Sequence, residues 1–158
     1  RSREVILGVV LTIAMFIPVA FSQSQKRSGT QAKASQKNGS RKLSREFTKS
    51  ALLTKTTWDQ VLSSIERGDP ESRIQRYKDD AERSSAVLKA DVQTFGDAGA
   101  HLCMTKYETS VVHAESAIAM SALTHSSGNE ASAFSEADDA GRVVDSILSA
   151  GSYSNQCN

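Results

Sequence analysis

The sequence predicts an all-α protein, an up-and-down four-helix bundle over residues 43–158, preceded by a cleaved signal peptide and a disordered basic tail. From Leu43 onward apolar residues recur at steps of three and four, the spacing of one helix face, and runs of alternating apolar and polar residues are nearly absent. Glycines and capping residues divide this pattern into four segments. Four amphipathic helices with short connections bury their apolar faces only against one another, which favours a bundle.

Residues 1–22 have the layout of a signal peptide. Basic residues precede an apolar run over residues 5–17, and the small residues Ala20 and Ser22 occupy the positions that a signal peptidase recognises. The apolar run is shorter than the roughly 20 residues that span a bilayer, so we expect no stable membrane anchor. The sequence therefore predicts cleavage after Ser22 and secretion to the extracellular space or cell wall (apoplast).

Residues 23–42 form a basic segment that we expect to be a disordered linker. It contains several lysines and arginines, no acidic residue and no large apolar residue, so it buries too little surface to offset the entropy of ordering. It also lacks aromatic side chains for base stacking, and the whole chain has 19 basic against 18 acidic residues, so no nucleic-acid partner is expected. Asn38 begins an Asn-Gly-Ser sequon, which predicts an N-glycosylation site.

The first two predicted helices meet at a Gly-Asp-Pro turn. The first helix ends at Gly68, and the second begins with Asp69 as its cap and Pro70 in its first turn. The core face of the first helix is predicted to consist of Phe47, Ala51, Trp58, Leu62 and Ile65. That of the second is predicted to consist of Ile74, Tyr77, Ala81, Ser85, Leu88, Val92 and Phe95.

The third helix is predicted from near Ala100 to about Ser126, and the fourth begins at a capping box formed by Ser127 and Glu130. Gly151 is expected to end the fourth helix. Its predicted core face consists of Phe134, Ala137, Gly141, Val144 and Leu148, and Gly141 is expected to let another helix approach closely. Segments of about 27 residues could also indicate a helical solenoid, but no recurring motif supports one.

The only two cysteines, Cys103 and Cys157, are expected to form one disulfide in a secreted protein. Closing a loop of this length contributes on the order of 4 kcal/mol in the chain-entropy model. A zinc site would need further thiols or well-spaced histidines, so no metal or cofactor is predicted.

Residues 101–125 collect most side chains of the chain that are suited to catalysis, but helical geometry separates them. His101, His113 and His125 are twelve residues apart, which turns each about 120° from the last and moves it about 18 Å along the axis. No serine lies in a Gly-x-Ser-x-Gly elbow, and no glycine-rich phosphate loop is present. Instead, a row of apolar and aromatic residues predicts a buried helix face, and we expect no enzyme. This row consists of Cys103, Tyr107, Val111, Ala114 and Ile118.

The cysteine-bearing helix resembles the plant invertase and pectin methylesterase inhibitor family, chiefly over residues 100–158. In that family a helix with a Cys-x-x-x-Tyr motif, matched here by Cys103 and Tyr107, precedes an alanine-rich helix and a disulfide partner, matched by Cys157. A second register, in which Asp69-Pro70 and Arg76-Tyr77 match the turn into the family's cysteine-bearing helix, leaves both cysteines unexplained.

The resemblance implies a secreted, non-catalytic inhibitor-like protein that binds and blocks a cell-wall carbohydrate enzyme, either pectin methylesterase or invertase. Exposed polar residues of helices two and three would make the contacts. An alternative is a secreted helical interaction or effector protein that uses the basic tail for attachment and has no enzyme target. A small lipid carrier with an apolar cavity between the helices is a third class.

Overall fold

A computed structural model of the chain describes residues 40–125, 128–154 and 156–157. They form an all-α domain of four helices with one very short antiparallel sheet. The helices are α1 (Arg45–Glu66), α2 (Glu71–Phe95), α3 (Ala98–Thr124) and α4 (Glu130–Ala150), and the strands are β1 (Arg41–Lys42) and β2 (Ser152–Tyr153). The predicted all-α class and the four helices are confirmed. The predicted signal peptide and Asn38 lie outside the described residues.

Side-chain contacts give the directions of the helices. Along α2 the contacts advance from Lys78 to Ser85 while their α3 partners retreat from Glu115 to Glu108, so these two helices are antiparallel.

Contacts of α1 and α4 complete this arrangement. Asp59 of α1 lies next to Tyr107 of α3, and Ser44 next to Asp97, so α1 and α3 run in the same direction. Tyr107 packs beside Gly141 of α4. The connections between successive helices are short, as in an up-and-down bundle.

The predicted core faces are largely confirmed. All five predicted residues of α1 are buried, as are Cys103, Tyr107, Val111 and Ala114 of α3. In α4, Ala137, Gly141 and Val144 are buried and the two flanking residues are half-buried. The prediction for Phe95 is wrong, because this side chain is 42% exposed at the end of α2.

The turn between α1 and α2 differs in detail from the prediction. Pro70, not Asp69, occupies the N-cap position of α2, and it makes no side-chain cap. The carboxylate of Asp69 instead accepts hydrogen bonds from Ser64, Arg67 and Arg73. It therefore contacts the end of α1 as well as the first turn of α2. These hydrogen bonds, that of Arg67 foremost, lower the pKa of Asp69.

The ends of α3 and α4 also differ slightly from the prediction. Helix α3 begins at Ala98, two residues before the predicted start. Asp97, the residue before it, is buried and accepts hydrogen bonds from the backbone N–H and the hydroxyl of Ser44. The predicted cap Ser127 is outside the described residues, and Asn129 is the N-cap of α4. Gly151 ends α4 in the left-handed conformation that favours glycine, as predicted.

The segment after α4 returns to the start of α1. Arg41 pairs with Tyr153 and Lys42 with Ser152, and the backbone N–H of Leu43 donates to the carbonyl of Gly151 at 3.0 Å. Because Arg41 and Lys42 form β1, the predicted disordered linker of residues 23–42 is wrong at these two positions. Its residues before 40 lie outside the described residues, so the rest of that prediction remains a prediction.

Candidate functional site

A groove of about 570 Å³ lies between α3, α4 and the segment that follows α4. We call it the α3–α4 groove. One wall comes from α3 and the other from α4, and the disulfide lies between them. Its lining consists of Cys103, Lys106, Ser110, Ser132, Ser135, Glu136, Asp139, Ala140, Val143, Gln156 and Cys157.

The predicted disulfide between Cys103 and Cys157 is present, with 5.2 Å between the Cα atoms. Cys103 is buried in the first turns of α3, so the bond fixes the segment after α4 against that helix. Tyr153 of this segment packs its ring so closely on Gly99 that a Cβ atom at Gly99 would collide with it. The disulfide lines the α3–α4 groove, and the aromatic contact is a second attachment of the same segment to α3.

The charged groups that line the α3–α4 groove are Lys106, Glu136 and Asp139. Glu136 lies 3.4 Å from Nδ1 of His113, and both side chains are exposed. Asp139 pairs with Arg142 along α4. Among the described residues no serine hydroxyl donates a hydrogen bond to His113.

A second polar site, the Lys55 cluster, lies where α1, α3 and α4 meet. We define it as Lys55, Asp59, Tyr107 and Asp145. The Lys55 ammonium lies 2.7 and 2.9 Å from the two Asp59 carboxylate oxygens and 3.3 Å from Asp145, and its side chain is only 8% exposed. It also lies 4.9 Å from the centre of the Tyr107 ring, a cation–π distance.

The Tyr107 hydroxyl donates a short hydrogen bond to Asp59. Burial raises the pKa of Tyr107 far above its usual value, and the bond to Asp59 raises it further, so the phenol stays protonated. Gly141 makes this arrangement fit, because a Cβ at that position would lie 3.1 Å from the ring. The close approach predicted for Gly141 is therefore confirmed.

The Lys55 cluster opens into a shallow cavity of about 340 Å³. Sequence reasoning placed Tyr107 in a buried row but missed Lys55, Asp59 and Asp145. The spacing of four between Lys55 and Asp59 is the only local signal, and it is common on solvated helices. The contact with α4 depends on tertiary packing.

Comparison with protein-family models, with curated proteins and with solved structures gives no match. The geometry of the described residues is therefore the basis for any functional assignment.

The histidines diverge as predicted. His101 is half-buried toward α2, and its pKa is lowered by burial first and then by the charge of Lys89. His113 faces Glu136 of α4, and His125 ends α3 in the left-handed conformation.

No group of three potential metal ligands is found among the described residues. None of the described helices is long and apolar enough to span a membrane.

The contact between α2 and α3 is polar at its centre. The Trp58 indole N–H donates to the Ser85 hydroxyl at 2.9 Å, and that hydroxyl donates to the Glu108 carboxylate at 2.8 Å. Burial raises the pKa of Glu108, while the Ser85 hydrogen bond partly opposes this shift. Lys78 binds Glu115 at 2.7 Å farther along the same seam. Two carboxylates of α3 are thus directed toward α2.

The solvent-facing side of α3 carries an uncharged row, which we call the α3 outer strip. Its members alternate at steps of three and four, and every one is exposed: Leu102, Thr105, Thr109, Val112, Ser116, Ala119 and Leu123. The strip is about 30 Å long at 1.5 Å per residue. Met120 lies beside it, 57% exposed, and Leu123 is 76% exposed. The strip therefore exposes large apolar side chains at intervals along a row without charge.

Proposed function

We propose that the protein is a secreted, non-catalytic inhibitor-like helical protein that binds and blocks a cell-wall carbohydrate enzyme, pectin methylesterase or invertase, in the apoplast. The observation that carries this proposal is the α3–α4 groove, a large concave site beside the disulfide. Its lining combines serine hydroxyls with charges of both signs and an apolar floor of alanine, valine and the disulfide. Such a lining suits a loop of a partner protein, which brings backbone polar groups together with side chains.

The resemblance to the inhibitor family supports the same proposal from a different direction. It implies four helices and a disulfide that joins the cysteine-bearing helix to a later segment, and both features are present. Because Cys103 and Cys157 line the α3–α4 groove, the residues that carry the resemblance lie at the candidate site. A partner loop held there would contact the rigid start of α3 and the central turns of α4.

The direct test is an inhibition assay. The purified protein, with its disulfide intact, is mixed with pectin methylesterase and separately with acid invertase over the working pH range of each enzyme. The proposal expects one of the two activities to fall in proportion to complex formation. Absence of both binding and inhibition would reject it.

A groove variant with a matched control locates the interface. Ser135 lines the α3–α4 groove on α4 and is exposed, so Ser135→Arg fills the groove without disturbing the core. Thr56 is an exposed hydroxyl residue of α1 that lies outside the groove. We expect Ser135→Arg to weaken binding about tenfold or more, as at a central interface position, and Thr56→Arg to leave it unchanged. Equal effects would place the interface elsewhere.

The alternative function, attachment by the basic tail, is separated from inhibition by a truncation. The deletion should cover residues 23–39 and stop before β1, because Arg41 and Lys42 pair with β2. Inhibition should survive this truncation. Attachment through the tail should be lost with it and should weaken with salt in the intact protein.

A further inference from the structure

The α3 outer strip has nearly the same order of residue types in both directions. Large apolar residues stand at its two ends, Leu102 and Leu123, and at its centre, Val112. Small side chains with a hydroxyl or a methyl group fill the positions between them. A helix face with this order is complementary to itself when a second copy lies against it in the opposite direction, as a two-fold axis requires.

In one antiparallel register of the two copies, residues of similar side-chain type lie opposite each other. With the two-fold axis next to Val112, the two copies of Val112 meet, Leu102 lies against Leu123 of the second copy, and Thr109 lies against Ser116. The steps of three and four along the strip are those of helices that pack at a shallow crossing angle of about 20°. Small residues between the apolar positions allow the two backbones to approach closely.

The hydroxyl groups of the strip are already hydrogen-bonded within α3. Thr109 donates to the carbonyl of Thr105 at 2.8 Å, and Ser116 donates to the carbonyl of Val112 at 2.9 Å. Covering these side chains therefore leaves neither hydroxyl proton without an acceptor, so most of the usual cost of burying a polar group is avoided.

The charged groups at the edges of the strip do not oppose this pairing. On one edge Glu108 is bonded to Ser85 and Glu115 to Lys78, so both carboxylates turn toward α2 and away from a second copy. On the other edge lie the exposed Lys106 and His113, and His113 pairs with Glu136 of α4 at 3.4 Å. In the register above Lys106 lies beside the uncharged Met120 region of the second copy.

We propose that the α3 outer strip binds a second copy of this chain, antiparallel and related by a two-fold axis at Val112. The inference rests on this strip alone and is independent of the proposed inhibition, which uses the α3–α4 groove. A strip about 30 Å long and about 10 Å wide is smaller than the roughly 800 Å² per partner of a stable interface. The dimer therefore dissociates on dilution into the micromolar range.

Sedimentation velocity measures this association on the purified, disulfide-intact chain from about 5 to 500 μM, a range that covers weak interfaces. We expect the average mass to rise from one chain toward two. Leu123→Glu should keep the mass at one chain throughout. Leu53→Glu is the control, because Leu53 is also an exposed leucine but lies on α1, so this variant should leave the association unchanged.

Two further variants test the register. The double variant L102K/L123E places opposite charges against each other only in the antiparallel pair, so it should regain the association that Leu123→Glu loses. Val112→Cys should form a disulfide-linked dimer under mild oxidation, whereas Thr105→Cys, which lies away from the axis, should not. Peptide mapping must show the Cys103–Cys157 bond intact in both.

Several results would overturn the proposal. One is a mass of one chain at every concentration together with no Val112→Cys cross-link. Another is association that persists in Leu123→Glu, which would place the contact on a different part of the chain. Equal cross-linking of Thr105→Cys and Val112→Cys would mean random collision. Binding of the monomer to neutral lipid vesicles, lost in Leu123→Glu, would assign the strip to a membrane surface instead.

Discussion

The two helical hairpins of the domain are built in different ways. The hairpin of α1 and α2 fills its interior with large side chains such as Phe47, Trp58 and Leu88, and its outer α2 face is rich in exposed charges. The hairpin of α3 and α4 meets through the small residues Ala137 and Gly141, and a disulfide ties it to the following segment. The second hairpin also buries large side chains, Met104 and Tyr107 among them, so its close helix approach and its disulfide are what distinguish it from the first.

The largest expected effect comes from removing the disulfide. Replacing Cys103 and Cys157 together by Ala should lower the free energy of unfolding by about 4 kcal/mol, because a loop of 54 residues is no longer closed in the unfolded chain. Urea denaturation measures this loss. Hydrogen exchange should show that β2 and the first turns of α3 lose more protection than the α1–α2 hairpin.

Reduction of the unmodified protein by a dithiol is the control for that double variant, since it removes the same bond without changing any other atom of the side chains. The two samples should have the same denaturation midpoint. Uniform loss of protection over all four helices would show that the hairpins unfold as one cooperative unit, and the contrast between them would then not extend to stability.

The next effect concerns the Lys55 cluster, which joins the two hairpins. Tyr107→Phe removes the hydroxyl that donates to Asp59 but retains the ring over Lys55. We expect a loss of about 1 kcal/mol, because Asp59 is partly exposed and keeps Lys55 as a partner. The measurement is the urea midpoint at constant slope. Tyr77→Phe is the control, and an equal loss there would contradict a special role for the cluster.

A smaller effect should appear in the dependence of stability on pH at the α2–α3 seam. The pKa of Glu108 is raised in the folded state, so its contribution to stability is full below its usual value of 4.5 and is lost as pH rises through the folded pKa. Glu108→Gln should abolish this loss. The free energy of unfolding of the variant minus that of the unmodified protein should therefore be larger at neutral pH than at pH 4.

His101 makes stability depend on pH in the opposite direction. Its pKa is lowered in the folded state, so its contribution is present above its usual value of 6.5 and is lost as pH falls through the folded pKa. Subtracting the curve of Glu108→Gln from that of the unmodified protein separates the two groups. A difference that does not change with pH would show that Glu108 ionises alike in both states.

Helical periodicity was sufficient to predict the four helices and most of their buried faces, because those faces depend on local spacing. It did not predict that Asp69 folds back over its own turn, since the positions of Ser64 and Arg73 around it depend on the meeting of two helices. The Lys55 cluster was missed for the same reason. Strand β1 was missed because its partner β2 lies more than 100 residues away in the sequence.

The α3 outer strip shows a different limit of sequence reasoning. Helix α3 carries small and apolar residues on nearly every side, so its periodicity does not distinguish the buried row from the exposed one. The structure distinguishes them, because Tyr107 and Val111 are fully buried while Val112 and Leu123 are exposed. The uncharged exposed face therefore lies in the same stretch, residues 101–125, that contains all three histidines.

The smallest expected effect tests whether the fold itself needs an uncharged outer face on α3. Thr109 and Ser116 are exposed, and each bonds its hydroxyl to its own helix, which favours a helix less than a long straight side chain does. Replacing them with Lys and Glu respectively should change the free energy of unfolding by no more than about 0.5 kcal/mol, toward greater stability. Urea denaturation at low protein concentration measures the stability of the single chain.

If the charged variant is as stable as the original but no longer associates, the composition of the strip serves contact with another surface. A loss of several kcal/mol would instead make the strip part of the fold, and the contrast between the hairpins would have a purely structural cause.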